Sequence, residues 1–308
     1  MSQHVIVGAG AIGITTAQIL ADRGEHVRII TRRGGVSDHP LIERVAADAT
    51  DADRLSELTS GAAALYNCAN PQYHRWLTDW PPLAEALLTA AERSGATLVT
   101  MSCLYGYGPV TGPITPTTPL AATQPKLKIR ADMWRAALAL HEAGRIRATE
   151  VRASDYIEAN GLLSFGAGKA ILAGKRAYSI APLDVMHTWS STTDSARMLV
   201  TAATDERAWG KAWLAPANAP MTVRQMMTRF ATANGAPTPK LTQLPYAVTW
   251  STGIFAPMVR ELRTTRYQFT SPFVIDTRAT TETFGIEPLP MDDALRAAAS
   301  IVRAPASV

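Results

Sequence analysis

The sequence predicts an α/β fold, a doubly wound parallel sheet followed by a smaller, mixed C-terminal region. Three observations predict it. Short apolar runs alternate with helical patterns through the first 150 residues, which is how a parallel sheet with helices on both faces reads in sequence. A glycine-rich turn, Gly8-Ala9-Gly10-Ala11-Ile12-Gly13, follows the first apolar run and opens the first helical pattern. Beyond residue 150 the alternation loosens into short elements broken by prolines.

The elements follow in order. Residues 5–7 form the first strand, and residues 11–23 a helix that stops at Gly24. Residues 26–31 are the second strand, and residues 45–47 a short third that closes on Asp48. A helix over 51–58 and a strand over 62–69 come next. A helix over 83–94 begins just after Pro81-Pro82, stops at Gly95 and leads into a strand over 97–102. Gly24 and Gly95 stand where helix C-caps need a left-handed residue. A Gly/Pro/Thr-rich loop from 106 to 119 precedes a helix over 126–142 and a strand over 147–153. Later helices fall near 192–203, 223–233 and 292–302.

Composition restricts the function classes. Of 308 residues, 47% are hydrophobic and 18% charged, the proportions of an ordinary globular protein able to bury a core without disulfides. Cys68 and Cys103 end apolar runs and read as reduced thiols; no metal site is expected. The formal net charge of +4 is scattered rather than blocked. It implies mild attraction for anionic ligands and no nucleic-acid partner. The start, Met-Ser-Gln-His, lacks the basic and apolar regions of a leader, and no apolar run is long enough to span a bilayer. The expectation is a cytoplasmic protein with a small-molecule substrate and no membrane partner.

Each glycine of the turn has a physical task. Gly8 makes the tight bend, Gly10 lets backbone approach a pyrophosphate, and Gly13 lets the helix pack close to the strand. With Ala11 and Ile12 they would present free N–H groups at the positive end of a helix dipole. Residues 1–150 therefore read as a dinucleotide-binding, Rossmann-type domain. Residues 151–308 read as a mainly substrate-binding region, with some segments returning to the first domain. Where an NAD site usually carries a carboxylate after the second strand, this chain has Thr31-Arg32-Arg33-Gly34. Guanidinium forks suit a 2′-phosphate, so NADP(H) is expected in preference to NAD(H). Asp48, with Ala49 beside it, is placed to receive the adenine amino group, and Cys68, Ala69 and Asn70 should run beneath the cofactor.

On these residues the chain resembles the NAD-dependent epimerase/dehydratase branch of the short-chain dehydrogenase/reductases. The resemblance rests on the glycine turn, Asp48-Ala49, Cys68-Ala69-Asn70-Pro71, the stretch 104–109, and Trp213-Leu214-Ala215-Pro216. Gly10 and Gly13 match the family's Gly-x-x-Gly spacing, whereas Val7 stands where its first glycine would fall. The resemblance implies a catalytic Ser or Thr, a Tyr, and a Lys four residues after the Tyr. Aligning Tyr107-Gly108 on the family's Tyr-Gly puts Ser102 and Cys103 at its Ser–Ser positions, with Cys103 in the catalytic slot.

The Tyr-x-x-x-Lys pair is missing, because no tyrosine occurs between Tyr107 and Tyr156. The best register puts Lys126 at the Tyr position and Arg130 at the Lys position, where Lys126 would also face the cofactor. Three readings stay open. An NADP-dependent oxidoreductase would protonate its product from another group, with Lys126, Tyr105, Tyr107, Tyr156 and His187 as candidates. An isomerase, cyclase or epimerase on the same fold would give no net redox change. A nucleotide-sensing regulator would do no chemistry.

The second half carries Trp189, Met221, Met226, Met227, Trp250, Phe255, Met258, Phe269 and Phe273. Met and aromatic side chains build adaptable apolar pockets. They suggest a small hydrophobic or aromatic carbonyl or hydroxy substrate, of a kind met in secondary-metabolite biosynthesis. Arg260, Arg263 and Arg266, three apart, could instead hold a nucleotide-sugar diphosphate or lie in solvent. Asp155 and Tyr156 follow the strand over 147–153, at the edge expected to face the substrate. By analogy with relatives, a homodimer would pair through the helices over 83–94 and 126–142.

Overall fold

The computed structural model describes residues 2–255 and 257–304, with the side chains of 255, 257 and 258 left aside. Its first half contains β1 (Gln3–Val7), α1 (Ala11–Asp22), β2 (His26–Thr31), β3 (Ile42–Ala46), α2 (Ala52–Thr59), β4 (Ala62–Asn67), α3 (Trp76–Ser94), β5 (Thr97–Cys103), α4 (Pro125–Glu142) and β6 (Ala148–Ala153). Short elements follow: β7 (Asp155–Tyr156), α5 (Gly168–Leu172), β8 (Ala177–Ser179), β9 (Met186–His187) and β10 (Trp189–Ser190). Then come α6 (Thr192–Thr204), β11 (Ala212–Leu214), β12 (Met221–Thr222), α7 (Val223–Ala233) and β13 (Leu241–Gln243). Last are α8 (Tyr246–Phe255), α9 (Pro257–Thr265), α10 (Tyr267–Thr270), α11 (Arg278–Phe284) and α12 (Met291–Arg303).

Seven parallel strands form one sheet in the order β11-β6-β5-β4-β1-β2-β3. The direction of winding reverses between β1 and β4, so a crevice opens at their C-terminal ends, where such sheets bind ligands. Alternation along the strands divides the core. Val5, Val7, Leu65 and Leu98 face α2, α3 and α4 on one side. Ile6, Ala64, Tyr66 and Val99 face α1 and α6 on the other. Strands buried on both faces read as near-continuous apolar runs, which made them visible in sequence.

Two boundaries differ from the sequence expectation. β3 begins at Ile42, three residues early, because it is a half-exposed edge strand without a solid apolar run. α3 begins at Trp76 and runs through Pro81 and Pro82. Prolines inside a helix forfeit backbone hydrogen bonds, but here Trp76 and Trp80, one turn apart, are buried at 4% and 1% exposure and hold the first turns against the core.

The chain after β6 is shared between two cores. α6 and β11 complete the sheet and its α1 face. Trp189, α5, α7 and α12 build a separate cluster around Leu163, Met227, Phe230 and Leu295. Among the described residues no helix is long and apolar enough to cross a membrane.

Candidate cofactor and active site

The glycine turn after β1 behaves as its spacing requires. Gly8 has φ +106°, and a Cβ there would lie 2.7 Å from the Cys68 carbonyl oxygen. A Cβ on Gly13 would lie 2.0 Å from the Gly8 carbonyl oxygen. Gly10 is different: nothing lies within 4 Å of its would-be Cβ, and it caps α1 without a side-chain hydrogen bond. Gly10, Ala11 and Ile12 line a cavity, so the unsatisfied N–H groups of the first turn are available to an anion there. These residues fit a dinucleotide pyrophosphate.

At the ends of β2 and β3, Arg32, Arg33 and Asp48 are exposed and Ala49 is half-buried. Asp48 accepts from the Thr50 backbone N–H (3.0 Å) and hydroxyl (2.8 Å). These hydrogen bonds, with the nearby Arg32 charge, hold its carboxyl below the usual range. No carboxylate stands at the end of β2.

The cavity holds about 240 Å³ at the C-terminal ends of β1, β4, β5 and β6. Cys68, Ala69 and Asn70 form one wall, Met101 to Tyr105 another, and Ala153 to Tyr156 a third. Trp76 and Trp80 enter from α3, Arg130 from α4, and Gln268 and Phe273 from the second half. Burial pushes the Cys68 thiol up to about 12 and raises that of Cys103, although the Arg130 charge pulls the latter partly back. Both thiols stay protonated. Burial likewise raises the hydroxyls of Tyr105 and Tyr156, so neither is a ready base.

Arg130 is 5% exposed. Its Nη2 donates to the Met101 carbonyl (2.8 Å) and its guanidinium lies 4.4 Å from the Trp80 ring. Its buried Nε–H has no acceptor among the described residues. Asp155 is partly open to the cavity and lies 2.8 Å from His187 Nε2.

The profile described as the NAD dependent epimerase/dehydratase family matches residues 4–162, more than half of the chain. The chain belongs to this family. No curated protein sequence matches it. Several solved structures share its fold. A UDP-glucose-4-epimerase from Stenotrophomonas maltophila, with bound NAD and formylated UDP-arabinopyranose, is 16% identical with a TM-score of 0.79, covering 98% of each chain. A dTDP-glucose 4,6-dehydratase from Bacillus anthracis, in complex with NAD, is 16% identical with a TM-score of 0.77 over 98% of this chain and 96% of that one. A UDP-glucuronic acid 4-epimerase from Bacillus cereus, in complex with NAD, is 14% identical with a TM-score of 0.77, over 98% and 96%. The family is described as NAD dependent, and a nicotinamide dinucleotide is thus its cofactor.

Against the family's Ser-Tyr-Lys arrangement, the structure redistributes the expected residues. Cys103, Arg130 and Tyr156 lie on the cavity, as do Cys68, Ala69 and Asn70. Lys126 does not face it. Its ammonium is paired with Glu261 of α9 and sits 4.9 Å from the Tyr73 ring centroid. Tyr107 also turns away: its hydroxyl accepts from Arg152 Nη1 (2.7 Å), whose Nε donates to Glu150 (2.6 Å), in a buried network under the loop after β5. Neither residue lines the cavity, and each is engaged with a buried charge.

Of the distal apolar side chains, Phe273 reaches the cavity and Phe269 stacks on His187 at 4.6 Å. Trp189, Met226 and Met227 are ordinary core, Met221 packs at its edge, and Trp250 is exposed. The side chains of Phe255 and Met258 lie outside the described residues. Arg263 donates to the Trp250 carbonyl, and Arg266 lies 4.1 Å from the Tyr246 ring centroid, so both serve the α8–α9 pair; Arg260 is exposed. Sequence reasoning missed Trp76 and Trp80, whose spacing of four was the available signal. It also missed Gln268.

Proposed function

We propose that the protein is an NADP(H)-dependent oxidoreductase of this family, acting on a small, apolar or aromatic carbonyl or hydroxy compound. The observation that carries the proposal is the cavity lining. Trp76, Trp80, Met101, Leu104, Tyr105, Tyr156 and Phe273 supply apolar and aromatic walls, while Arg130 is the one cation among the described lining residues. Such a surface favours a compact apolar body with one or two oxygens. A diphosphate would ask for more cations, and Arg263 and Arg266 are engaged elsewhere.

The chain's own residues account for binding. Backbone N–H groups of Gly10 to Ile12 would hold the pyrophosphate, Arg32 and Arg33 the 2′-phosphate, and Asp48 the adenine end, with Cys68 to Asn70 alongside. When bound, the cofactor supplies or receives hydride. Arg130 Nε–H, buried without a partner, would be satisfied by a substrate oxygen and would orient it. The apolar walls keep water from that oxygen and strengthen this contact.

The test is NADPH oxidation, followed by absorbance, over a panel of aryl and alkyl aldehydes and ketones beside UDP- and dTDP-hexoses. Turnover of the apolar carbonyls is expected. Turnover confined to the nucleotide sugars would overturn the substrate class. A redox-neutral epimerisation or dehydration is the second reading, favoured by the names of the structural relatives, and its mark is product with no net absorbance change. Cofactor binding without any turnover would leave the regulator.

A further inference from the structure

Lys126 stands at the family's tyrosine position and does not line the cavity, yet one side-chain pair at the cavity edge has an unusual hydrogen-bond geometry. Nδ1 of His187 lies 3.2 Å from the Gln268 backbone carbonyl oxygen, and Nε2 lies 2.8 Å from Asp155 Oδ2. A carbonyl can only accept, and so can a carboxylate. A neutral imidazole has one N–H, so either tautomer leaves a lone pair against an acceptor oxygen. Ser154 Oγ also lies 3.4 Å from Nε2, but a hydroxyl donated there would still leave the Asp155 oxygen 2.8 Å from a nitrogen lone pair with no proton between them. Both contacts are satisfied when the pair holds one further proton, as imidazolium with carboxylate or as neutral imidazole with protonated Asp155.

The surroundings hold the ring in this orientation. His187 is 1% exposed, stacked on Phe269 and packed by Trp189 and Phe273, so its ring cannot turn to find other partners. Asp155, one-third exposed, is the end of the pair that opens to the cavity. Facing it are Tyr105 and Tyr267, both kept protonated chiefly by burial, and Arg130 lines the same cavity.

We propose that the Asp155–His187 pair is the proton donor of this site, with Asp155 delivering and His187 positioning and recharging it. This rests on the carbonyl-reductase reading only for the acceptor's identity. The carbonyl carbon gains a hydride, a hydrogen with its electron pair, from the reduced dinucleotide; the π pair passes to the substrate oxygen, which gains the proton from the Asp155–His187 pair. The pair then regains a proton from solvent. In the reverse direction it accepts the proton.

The experiment reads the proton directly in the cofactor-free protein, by ¹⁵N–¹H spectra of the His187 ring and the ¹³C carboxyl shift of Asp155 through a pH titration. At neutral pH the pair is expected to hold two protons in all, and Asp155→Asn to leave the ring with one. A parent pair holding a single proton at neutral pH overturns the proposal. Under NADPH, with the best carbonyl of the panel, Asp155→Asn should lose about 100-fold or more in kcat at unchanged NADPH affinity. It should also lose the parent's fall in rate at alkaline pH. Activity within a few-fold of the parent with the same pH profile also overturns it. If Asp155→Asn fails to fold, the parent's ¹³C titration decides alone. If no carbonyl is turned over, the reductase reading fails while the proton count is still measured.

Discussion

Gly13→Ala and Gly10→Ala, three residues apart in one turn, should fail in opposite ways. At Gly13 the new methyl carbon would lie 2.0 Å from the Gly8 carbonyl oxygen, a backbone atom that cannot swing aside. Overpacking costs typically 1–3 kcal/mol, and a clash this short with main chain belongs at the top of that range, about 3 kcal/mol. With an unfolding entropy of roughly 2.1 cal/mol/K per residue over 308 residues, each kcal/mol is worth about 1.5 °C, so the melting temperature should fall by about 5 °C. At Gly10 the methyl meets nothing within 4 Å, and the residue's φ of −74° suits any L-amino acid. Its stability should change by under about 1 kcal/mol, the scale of a helix-cap change. It would, however, occupy the space a pyrophosphate needs, and dinucleotide affinity should drop by tenfold or more, about 1.4 kcal/mol. Differential scanning fluorimetry and calorimetric titration of NADPH separate the two. A Gly10→Ala variant that binds like the parent, or a Gly13→Ala variant that melts with it, would refute the assignment of the turn.

Three further outcomes follow from the same geometry. Titration calorimetry should find NADPH bound more tightly than NADH, with Arg32→Ala and Arg33→Ala each removing roughly tenfold or more of the NADPH affinity and little of the NADH affinity; equal parent affinities would end the NADP assignment. Arg130→Met removes a buried cation that has no carboxylate partner among the described residues, so melting should be unchanged or raised, while carbonyl turnover should fall at least tenfold. The Glu158 carboxyl is raised by burial above its ordinary 4.5, so the folded state holds a proton that the unfolded chain releases. Its stabilising contribution is full below pH 4.5 and declines as pH rises through the folded value. Glu158→Gln should flatten that part of the melting-temperature profile relative to the parent, and parallel profiles would count against it.

Much of the sheet was legible because its strands are buried on both sides and its helices end in left-handed glycines. What escaped was set by contacts distant in sequence. Lys126 and Arg130 lie one turn apart on the same buried face of α4, and nothing local distinguishes them. Glu261, 135 residues further on, covers the first, while Met101 and Trp80 draw the second to the cavity. Tyr107 looked like a site tyrosine by its place after β5, but Arg152 in the neighbouring strand takes its hydroxyl. Asp155 and His187 each stood out alone; their pairing spans 32 residues and follows no period. The two tryptophans of α3 were hidden by the prolines that follow them.

The division of the second half between two cores also sets a timetable for synthesis. β11 and α6 are made late but close the sheet laid down first, as its last strand and as the cover beside α1. When residue 153 leaves the ribosome, Val99, Val151 and the inner side of α1 still lack that cover. The missing pieces end at Leu214, 61 residues later, which at 5–20 residues per second is roughly 3–12 s of translation. For that interval the nascent chain carries an open apolar face and an unpaired β6 edge, the features that chaperones bind and that neighbouring chains can capture. Slowing translation beyond residue 153 should therefore lower the yield of folded protein more than slowing it after residue 214.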